Sequence, residues 1–229
     1  MSIVRNILAI IFTFSLMIIL LISSVDIVAY HIPGYYRYEY TKYSSHDRVG
    51  MDMDELLRVS GEMMAYLKGK RESLSDISAK IKNQPDVLFF NEKEAAHMKD
   101  VRELFIAAIF IRRILLAICI LIPAIIKFSR GSLRKVMPKN LLAGSCIFLT
   151  LLLCVGGIIA SNFSKYFVVF HHIFFNNDLW ILDPATDNLI NIVPEGFFLD
   201  TARNIAAIYL IFVVGIIVFS TVLIRHSAK

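Results

Sequence analysis

The chain alternates long apolar stretches with polar ones. Four apolar stretches are long enough for a helix to cross a bilayer core of about 30 Å, which takes roughly 20 residues. The polar segments before the second and the fourth stretch are long, whereas the one before the third is short. We therefore predict an all-α membrane protein, one domain over residues 1–229, with four transmembrane helices at about 7–30, 104–128, 140–162 and 204–224.

The two long polar segments, 31–103 and 163–203, are each too short to build a large core of their own. We expect them to form together one small, mainly helical cap against the ends of the transmembrane helices. Within the cap, the apolar spacing predicts a helix over 53–68, and residues 189–193 are expected to be extended. The tyrosine-rich segment 30–43 is expected to lie at the membrane–water interface, where tyrosine is enriched.

Charged residues are distributed unevenly among the polar segments, and this sets the expected orientation. Of the 19 acidic residues, 13 lie in 30–103 and five in 164–203. The short segment 129–139 and the two ends of the chain carry basic residues and no acidic ones. By the positive-inside rule, both termini and loop 129–139 are expected to be cytoplasmic, and the cap extracytoplasmic.

Composition supports a membrane protein. Hydrophobic residues make up 57% of the chain and the mean hydropathy is +0.64, which lies outside the range of soluble domains. The pI near 9.1 reflects membrane orientation, and no basic stripe interleaved with aromatic residues indicates nucleic-acid binding. The three cysteines lie within predicted transmembrane helices, so no disulfide framework is expected in the cap.

Histidines in two different polar segments are the first candidates for chemistry. His171 and His172 lie in an almost unbroken apolar run, 166–180, and His97 lies in the other long polar segment beside the second apolar stretch. Imidazole is costly to bury without a partner and is well suited to proton transfer near neutral pH. Two imidazoles that converge under a small cap would make an acid–base site.

Acidic residues flank His97 along a predicted helix. Asn91 with Glu94 forms a capping pattern, so a helix should begin there and continue into the second transmembrane stretch. The first turns of this helix carry Glu94, His97 and Asp100. Because residues three or four apart share a helix face, a carboxylate is a candidate to orient the His97 ring.

A metal site is the competing interpretation of these histidines. Zinc would need a third ligand, which Asp178, Asp183 or His46 could supply. No close-spaced ligand pair such as HExxH lies on one helix. No metal and no other cofactor are therefore expected.

Two arginines, Arg112 and Arg113, interrupt the second apolar stretch. A charge at membrane depth usually faces a partner or a cavity. If the transmembrane helix begins near Leu104, both guanidinium groups lie inside the membrane and Asp26 is a candidate counter-ion. If it begins near Arg113, both groups lie at the interface, where the side chains snorkel or contact anionic lipid headgroups.

The ordered motifs in the two long polar segments resemble those of the lipoprotein intramolecular transacylases, a family of bacterial four-span membrane proteins with an outer cap. The resemblance covers the whole predicted topology. The motifs are Asn91-Glu92-x-Glu94-x-x-His97-Met98-x-Asp100-Val101, Phe170-His171-x-x-Phe174-Phe175, Asp178-x-Trp180 and Asp183-Pro184-x-Thr186-Asp187-x-Leu189-Ile190.

This resemblance implies an acyltransferase that acts on diacylglyceryl lipoproteins in the bacterial cytoplasmic membrane. The sn-2 acyl chain would move from the glyceryl group to the α-amine of the N-terminal cysteine and leave a lyso-form lipoprotein. The matching catalytic positions are His97 and His171, and His172 falls at a position that the motif leaves open. The expected partners are the lipoprotein substrate and membrane lipid, without nucleic acid, and the protein is expected to be a monomer.

The chemistry of the residues agrees with this implication. A neutral imidazole can remove a proton from an α-amino group, which titrates near pH 8. A protonated second histidine, Asn177 or the Trp180 indole N–H are candidate donors to the oxyanion of a tetrahedral intermediate. A non-enzymatic lipid-binding or assembly factor and a metal-dependent membrane hydrolase remain the alternatives.

Overall fold

The computed structural model describes residues 2–82, 86–129 and 131–227. Within them, two short strands pair antiparallel, with Ser78 opposite Leu88 and Ala79 opposite Val87. The elements in chain order are α1 (Ser2–Tyr30), α2 (Tyr35–Lys42), α3 (Ser45–Arg48), α4 (Met53–Leu67), β1 (Ser78–Ala79), β2 (Val87–Leu88), α5 (Glu92–Phe128), α6 (Leu133–Ser161), α7 (Phe163–Phe174), α8 (Asn188–Ile192) and α9 (Glu195–Ser227).

Four helices, α1, α5, α6 and α9, are long and apolar enough to cross a membrane. The predicted fold class, a mainly helical membrane protein with four spanning helices, is confirmed. Helix α5 begins with a strongly charged segment, 92–103, in which seven of the residues are Asp, Glu, Lys or Arg. Since charges are costly in lipid, this first segment of α5 is not expected to lie inside the membrane, and the start of the spanning part at 104 stays a prediction.

Two local expectations differ from the structure. Helix α6 begins at Leu133, so most of the expected loop 129–139 is helical. The prediction of an extended segment at 189–193 is wrong, because α8 covers Asn188–Ile192. Leu189 and Ile192 are both buried, and their spacing of three places them on one helix face.

The described residues divide into two compact units. The membrane unit comprises residues 2–27, 109–161 and 203–227, and the cap unit comprises residues 28–108 and 162–202. These limits lie close to the predicted cap segments 31–103 and 163–203.

Helices α1, α6 and α9 pack together in the membrane unit. Met17 on α1 and Tyr209 and Val213 on α9 are buried, and apolar residues of α6, Phe148 among them, pack against them. Close approach of α1 to α6 depends on Gly144, where an added Cβ would lie 2.3 Å from Thr13 Cγ2. Small residues at such crossings allow helix backbones to approach in membranes.

The cap unit has its own apolar core, in which the tyrosine-rich segment takes part. Tyr40 on α2 is fully buried, and its hydroxyl lies 2.7 Å from Ser60 Oγ on α4. Tyr35 and Tyr40 each lie 6.0 Å, between ring centroids, from Phe197 on α9. These tyrosines therefore pack inside the cap unit, and the location of the segment at the membrane–water interface stays a prediction.

A buried carboxylate, Glu94, connects the two segments that make up the cap unit. Its side chain has no exposed surface. Glu94 Oε2 accepts a hydrogen bond from the Asn91 backbone N–H (2.8 Å), while Asn91 Oδ1 accepts one from Glu94 N (2.9 Å). The other carboxylate oxygen, Glu94 Oε1, accepts a hydrogen bond from the Leu189 N–H at the start of α8 (2.5 Å). The predicted cap of α5 thus also holds the other segment in place.

Replacement of Gly144 by alanine is expected to destabilise the membrane unit by about 1–3 kcal/mol, the typical cost of overpacking. Thr13 cannot easily move aside, because its hydroxyl donates to Ala9 O (2.8 Å). Gly156→Ala on the same helix is the matched control, since a Cβ there meets nothing within 4 Å. Thermal unfolding of the detergent-solubilised variants measures the difference, and equal midpoints would contradict this interpretation.

Replacement of Glu94 by alanine should cost about 2–4 kcal/mol of stability, since the buried Leu189 N–H loses its acceptor at about 1–3 kcal/mol and the half-buried Asn91 N–H loses its acceptor at a smaller cost. Glu92→Ala removes the same atoms from an exposed position on the same helix and should be nearly neutral. Amide hydrogen exchange of the 188–192 segment should speed up in Glu94→Ala alone. Unchanged exchange there would show that Glu94 does not hold α8.

Candidate active site

The two histidines predicted to carry chemistry lie on different helices of the cap unit. His97 lies on α5, in the turn that follows Glu94, and His171 lies in the last turn of α7. Asn162 caps the start of α7, because its side chain accepts a hydrogen bond from Lys165 N (3.1 Å). Both imidazoles are 7% exposed, so each lies in a largely water-free environment.

The structure brings the two imidazole rings close together. Their centroids are 6.1 Å apart with an interplanar angle of 34°. Phe175 contacts both rings, at 5.2 Å from His97 and 5.7 Å from His171 between centroids. A reacting group placed at the ring edges could therefore reach both imidazoles at once.

A backbone carbonyl fixes the tautomer of His171. His171 Nδ1 lies 2.6 Å from Phe167 O, and a carbonyl oxygen can only accept a hydrogen bond. In the neutral ring Nδ1 therefore carries the proton and donates it, and Nε2 holds the free lone pair. The Trp180 ring stacks on His171 at 4.7 Å and 28°, so the orientation of the imidazole is held from two sides.

Burial keeps both histidines neutral at physiological pH. Burial is the largest cause that lowers the pKa of His97 to about 4; the nearby His171 lowers it further and Asp100 opposes the change. Burial also lowers the pKa of His171, while its hydrogen bond to Phe167 O raises it and His172 lowers it. A desolvated imidazole loses its proton more readily, and both rings can then act as neutral bases or N–H donors.

Two buried nitrogen atoms at the site have no hydrogen-bond partner among the described residues, namely His97 Nδ1 and Trp180 Nε1. Buried polar atoms are nearly always paired in folded proteins. Both rings lie beside His171, so these two nitrogen atoms are candidates to contact a bound group.

Among the described residues, neither Glu94 nor Asp100 has a hydrogen bond to His97: Glu94 accepts from backbone N–H groups and Asp100 accepts from a side-chain amide. Both Glu94 oxygens accept backbone N–H groups, from Asn91 and Leu189. Burial raises the pKa of Glu94, and these two N–H groups oppose the change. Asp100 Oδ2 accepts a hydrogen bond from Asn177 Nδ2 (2.9 Å), which ties the 175–180 segment to α5.

The remaining candidates from the sequence occupy less central positions. Asn177 Oδ1 accepts from Leu179 N (3.1 Å), so both ends of this amide are engaged. The Asp178 side chain is exposed. His172 is also exposed, with its ring edge-on to Trp180 at 5.2 Å between centroids. Of Asn177 and Trp180, the predicted oxyanion donors other than a histidine, Trp180 is the one that lies against His171 and whose N–H has no partner among the described residues.

The charged residues of the second transmembrane stretch belong to the membrane unit. Arg112 Nη1 lies 3.3 Å from Asp26 Oδ2, and the two side chains are 24% and 23% exposed. Asp26 is the counter-ion expected for Arg112 if the transmembrane helix begins near Leu104. Arg113 is exposed on the surface of α5.

The structure describes no group of three or more His, Cys, Asp and Glu side chains that could hold a metal ion. Among the ligands considered for zinc, His46 lies on α3, where its Nε2 is 3.5 Å from Asp47 Oδ1.

Sequence reasoning missed two contributors to the site, Phe167 and Phe175. Phe167 acts through its backbone carbonyl, which residue type does not reveal, although its position four residues before His171 is the helical neighbour. Phe175 contacts both histidines; it caps the end of α7, where its backbone is extended and its N–H donates to His171 O (2.8 Å). Asp187 was part of a motif without an assigned role: it accepts from Asn91 Nδ2 (2.7 Å) and from Asp183 N (2.7 Å).

Comparison with known proteins identifies the family and the fold of the chain. A family model described as lipoprotein intramolecular transacylase Lit matches residues 10–198. Similar solved structures are those of the membrane integral lipoprotein intramolecular transacylase Lit from Bacillus cereus, at 20% identity, a TM-score of 0.79 and coverage of 100% of this chain and 99% of that one. A histidine-to-alanine variant of the same protein matches at 21% identity, a TM-score of 0.73 and coverage of 98% and 96%.

A search of curated protein sequences finds no significant match. The family model nevertheless spans most of the chain, and the solved structures share its fold over nearly their full length. The resemblance inferred from the histidine motifs is thereby confirmed. The chain belongs to the lipoprotein intramolecular transacylase family and is a membrane-integral acyltransferase.

Proposed function

We propose that the protein transfers the sn-2 acyl chain of a diacylglyceryl lipoprotein to the α-amine of its N-terminal cysteine, with His171 and His97 as the catalytic residues. The observation that carries this proposal is the pair of buried imidazoles 6.1 Å apart, beside two unpartnered nitrogen atoms. The products are an amide at the cysteine and a free hydroxyl at the sn-2 position, a lyso-form lipoprotein.

His171 is the proposed general base. Its Nδ1–H is held by Phe167 O, so the lone pair at Nε2 is available to the substrate. When the amine attacks the ester carbonyl, Nε2 takes the proton that the nitrogen must lose. The resulting imidazolium is stabilised by the same hydrogen bond, since a charged donor strengthens it.

The same proton completes the reaction. As the tetrahedral intermediate collapses, the bond between the carbonyl carbon and the glyceryl oxygen breaks, and the His171 imidazolium returns its proton to the leaving alkoxide. No net proton is gained or lost. This scheme needs His171 to begin neutral, which the lowered pKa of the histidine supports.

His97 and Trp180 are the proposed donors to the oxyanion. The sequence suggested a protonated second histidine in this role, but a pKa of about 4 favours a neutral His97 that donates through a ring N–H. The Trp180 indole N–H has no other partner among the described residues. Preorganised donors in a dry site stabilise developing charge strongly, at about 3–4 kcal/mol for one donor.

The surface around His171 suits a lipid substrate. Helix α7 carries large apolar side chains that face away from the cap, with Phe170, Ile173 and Phe174 46%, 70% and 50% exposed. Exposed apolar surface of this kind is typical of contact with lipid. We propose that it receives the acyl chains of the substrate, with the cap on the extracytoplasmic side and both termini in the cytoplasm, and that the protein works as a monomer.

Two other functions give different products. A non-enzymatic lipid-binding or assembly factor would bind lipoprotein without acyl migration, although membership of the transacylase family does not favour it. A transferase that uses a separate phospholipid donor would incorporate labelled acyl chains from phospholipid. Mass spectrometry of the N-terminal lipopeptide, with labelled phospholipid present, distinguishes all three.

Alanine at His171 or at His97 should lower the rate of diacyl-to-lyso conversion by about 10²–10⁴-fold, the usual contribution of an acid–base residue. His46→Ala is the matched control, because it removes a histidine of the cap unit on α3. The readout is the lyso-form N-terminal peptide by mass spectrometry, at equal amounts of membrane-inserted protein. Full activity in both site variants would overturn the proposed roles.

The pH dependence should reflect the lowered pKa values. A base with a lowered pKa stays neutral, and active, until the pH falls below that pKa. After correction for the neutral fraction of the substrate amine, which titrates near 8, the rate should stay level down through pH 6.5 and fall only below it. Trp180→Ala should move this acid limb upward, because it admits water to His171. An acid limb at or above pH 6.5 in the unaltered enzyme would contradict a buried neutral base.

A further inference from the structure

Basic side chains collect where α5 ends and α6 begins, within the membrane unit. Lys127 lies in the last turn of α5, and Arg134, Lys135 and Lys139 lie in the first two turns of α6. All four side chains are exposed. The two helices are joined by residues 129–132 alone, so the four cations lie close to one another along the chain. We call them the basic cluster.

The start of α1 packs against the same place and holds the two helix ends together. Arg5 Nε donates to Ser129 Oγ (3.4 Å), and Arg5 Nη2 donates to Ser129 O. Asn140 Nδ2 on α6 lies 3.5 Å from Asn6 Oδ1 on α1. Three helices therefore meet at this end of the membrane unit, and the cluster is carried by a surface that is already formed.

The charge of the basic cluster is not compensated by the described residues. None of its four side chains has an ion pair or a hydrogen bond within the part of the chain that the structure describes. The sequence of the membrane unit contains a single acidic residue, Asp26. It pairs with Arg112 and lies about 30 Å from Arg5 along α1, at 1.5 Å per residue. Helix α6 has no acidic residue in its first turn, where the helix dipole itself is positive.

Apolar surface borders the basic cluster and sets its level in the membrane. Ile125 and Phe128, in the last turn of α5, are 48% and 90% exposed. Both α5 and α6 are candidate membrane-spanning helices, and the non-helical backbone that joins them cannot lie exposed in the hydrocarbon core. The cluster is therefore expected at the level of the lipid headgroups, beside the start of the acyl chains.

A ligand at this place must combine negative charge with an apolar body. An anionic phospholipid has both, and clusters of basic residues next to a membrane-spanning helix are suited to it. Inorganic phosphate or an acidic peptide would supply the charge but would leave the apolar surface of α5 without a partner.

We propose that the basic cluster binds the headgroup of an anionic phospholipid, with the phosphate among the four cations and the acyl chains along the exposed apolar surface of α5. This surface belongs to the membrane unit, whereas both proposed catalytic histidines belong to the cap unit. Its occupation does not depend on the catalytic roles proposed above.

Competition between phosphatidylglycerol and phosphatidylcholine with the same acyl chains tests the proposal. The full-length protein is titrated with both lipids in detergent, and bound lipid is counted by native mass spectrometry. One basic side chain near an anionic lipid contributes about fivefold in affinity, so Arg134→Gln with Lys135→Gln and Lys139→Gln should weaken phosphatidylglycerol binding roughly 100-fold. Arg134→Lys with Lys135→Arg and Lys139→Arg keeps the charge and should retain the preference for phosphatidylglycerol.

Lys70→Gln with Lys80→Gln and Lys99→Gln is the matched control, since it removes three exposed cations from the cap unit. A preference for phosphatidylglycerol that is lost in the neutralised cluster, and kept both in the control and in the charge-retaining variant, supports the site. If the triple variant of the cluster does not fold, Lys135→Gln alone should still weaken phosphatidylglycerol binding about fivefold.

Three results would overturn the proposal. They are equal binding of the two lipids by the unaltered protein, an equal loss of phosphatidylglycerol binding in the cap-unit control, and displacement of phosphatidylglycerol by inorganic phosphate or by an acidic peptide at the same concentration.

Discussion

The Glu94 carboxylate is the interaction on which the candidate site depends. Two segments that are more than 90 residues apart in sequence meet at its two oxygens, through the N–H groups of Asn91 and Leu189. Hydrogen bonds to a charged acceptor contribute about 1.5–3 kcal/mol each. Burial of the same carboxylate without partners would cost several kcal/mol of stability. Glu94 therefore holds the start of α5 against α8, and loss of its two hydrogen bonds would leave both helices without this connection. His97, one turn further along α5, takes its position from this bridge.

The same constraint explains a network that has no chemical role of its own. Asp187 accepts from Asn91 Nδ2 and from Asp183 N, and Asn188 Nδ2 donates to Phe89 O (2.7 Å). Asn177 Nδ2 also donates to Asp100 Oδ2. Polar residues of the motifs therefore serve mostly to hold backbone, and the chemistry is left to few groups. Networks in which every member is satisfied favour one arrangement over its alternatives.

The sequence was sufficient for the parts of the fold that composition controls. Length and hydropathy identify the four long helices, because lipid requires unbroken apolar helices, and the capping pattern of Asn91 and Glu94 locates the start of α5. The helix at α8 could not be predicted, since five residues show no clear period and the anchor of Leu189 comes from a distant glutamate. The burial of Tyr35 and Tyr40 was missed for a similar reason: tyrosine suits both an interface and a core, and only the packing partner, Phe197, distinguishes them.

The candidate site itself was only half visible in the sequence. His97 and His171 could be named from their residue type and motifs, but their separation, their neutral state and the tautomer of His171 depend on burial and on a backbone carbonyl, which residue identity does not encode. Those features determine what the site can do. In the proposed reaction the amine and the ester belong to one molecule, and effective molarities for such arrangements can reach about 10⁵ M or more. Under this proposal one oriented base and two N–H donors in a dry pocket are sufficient, and the scheme needs no serine or cysteine nucleophile.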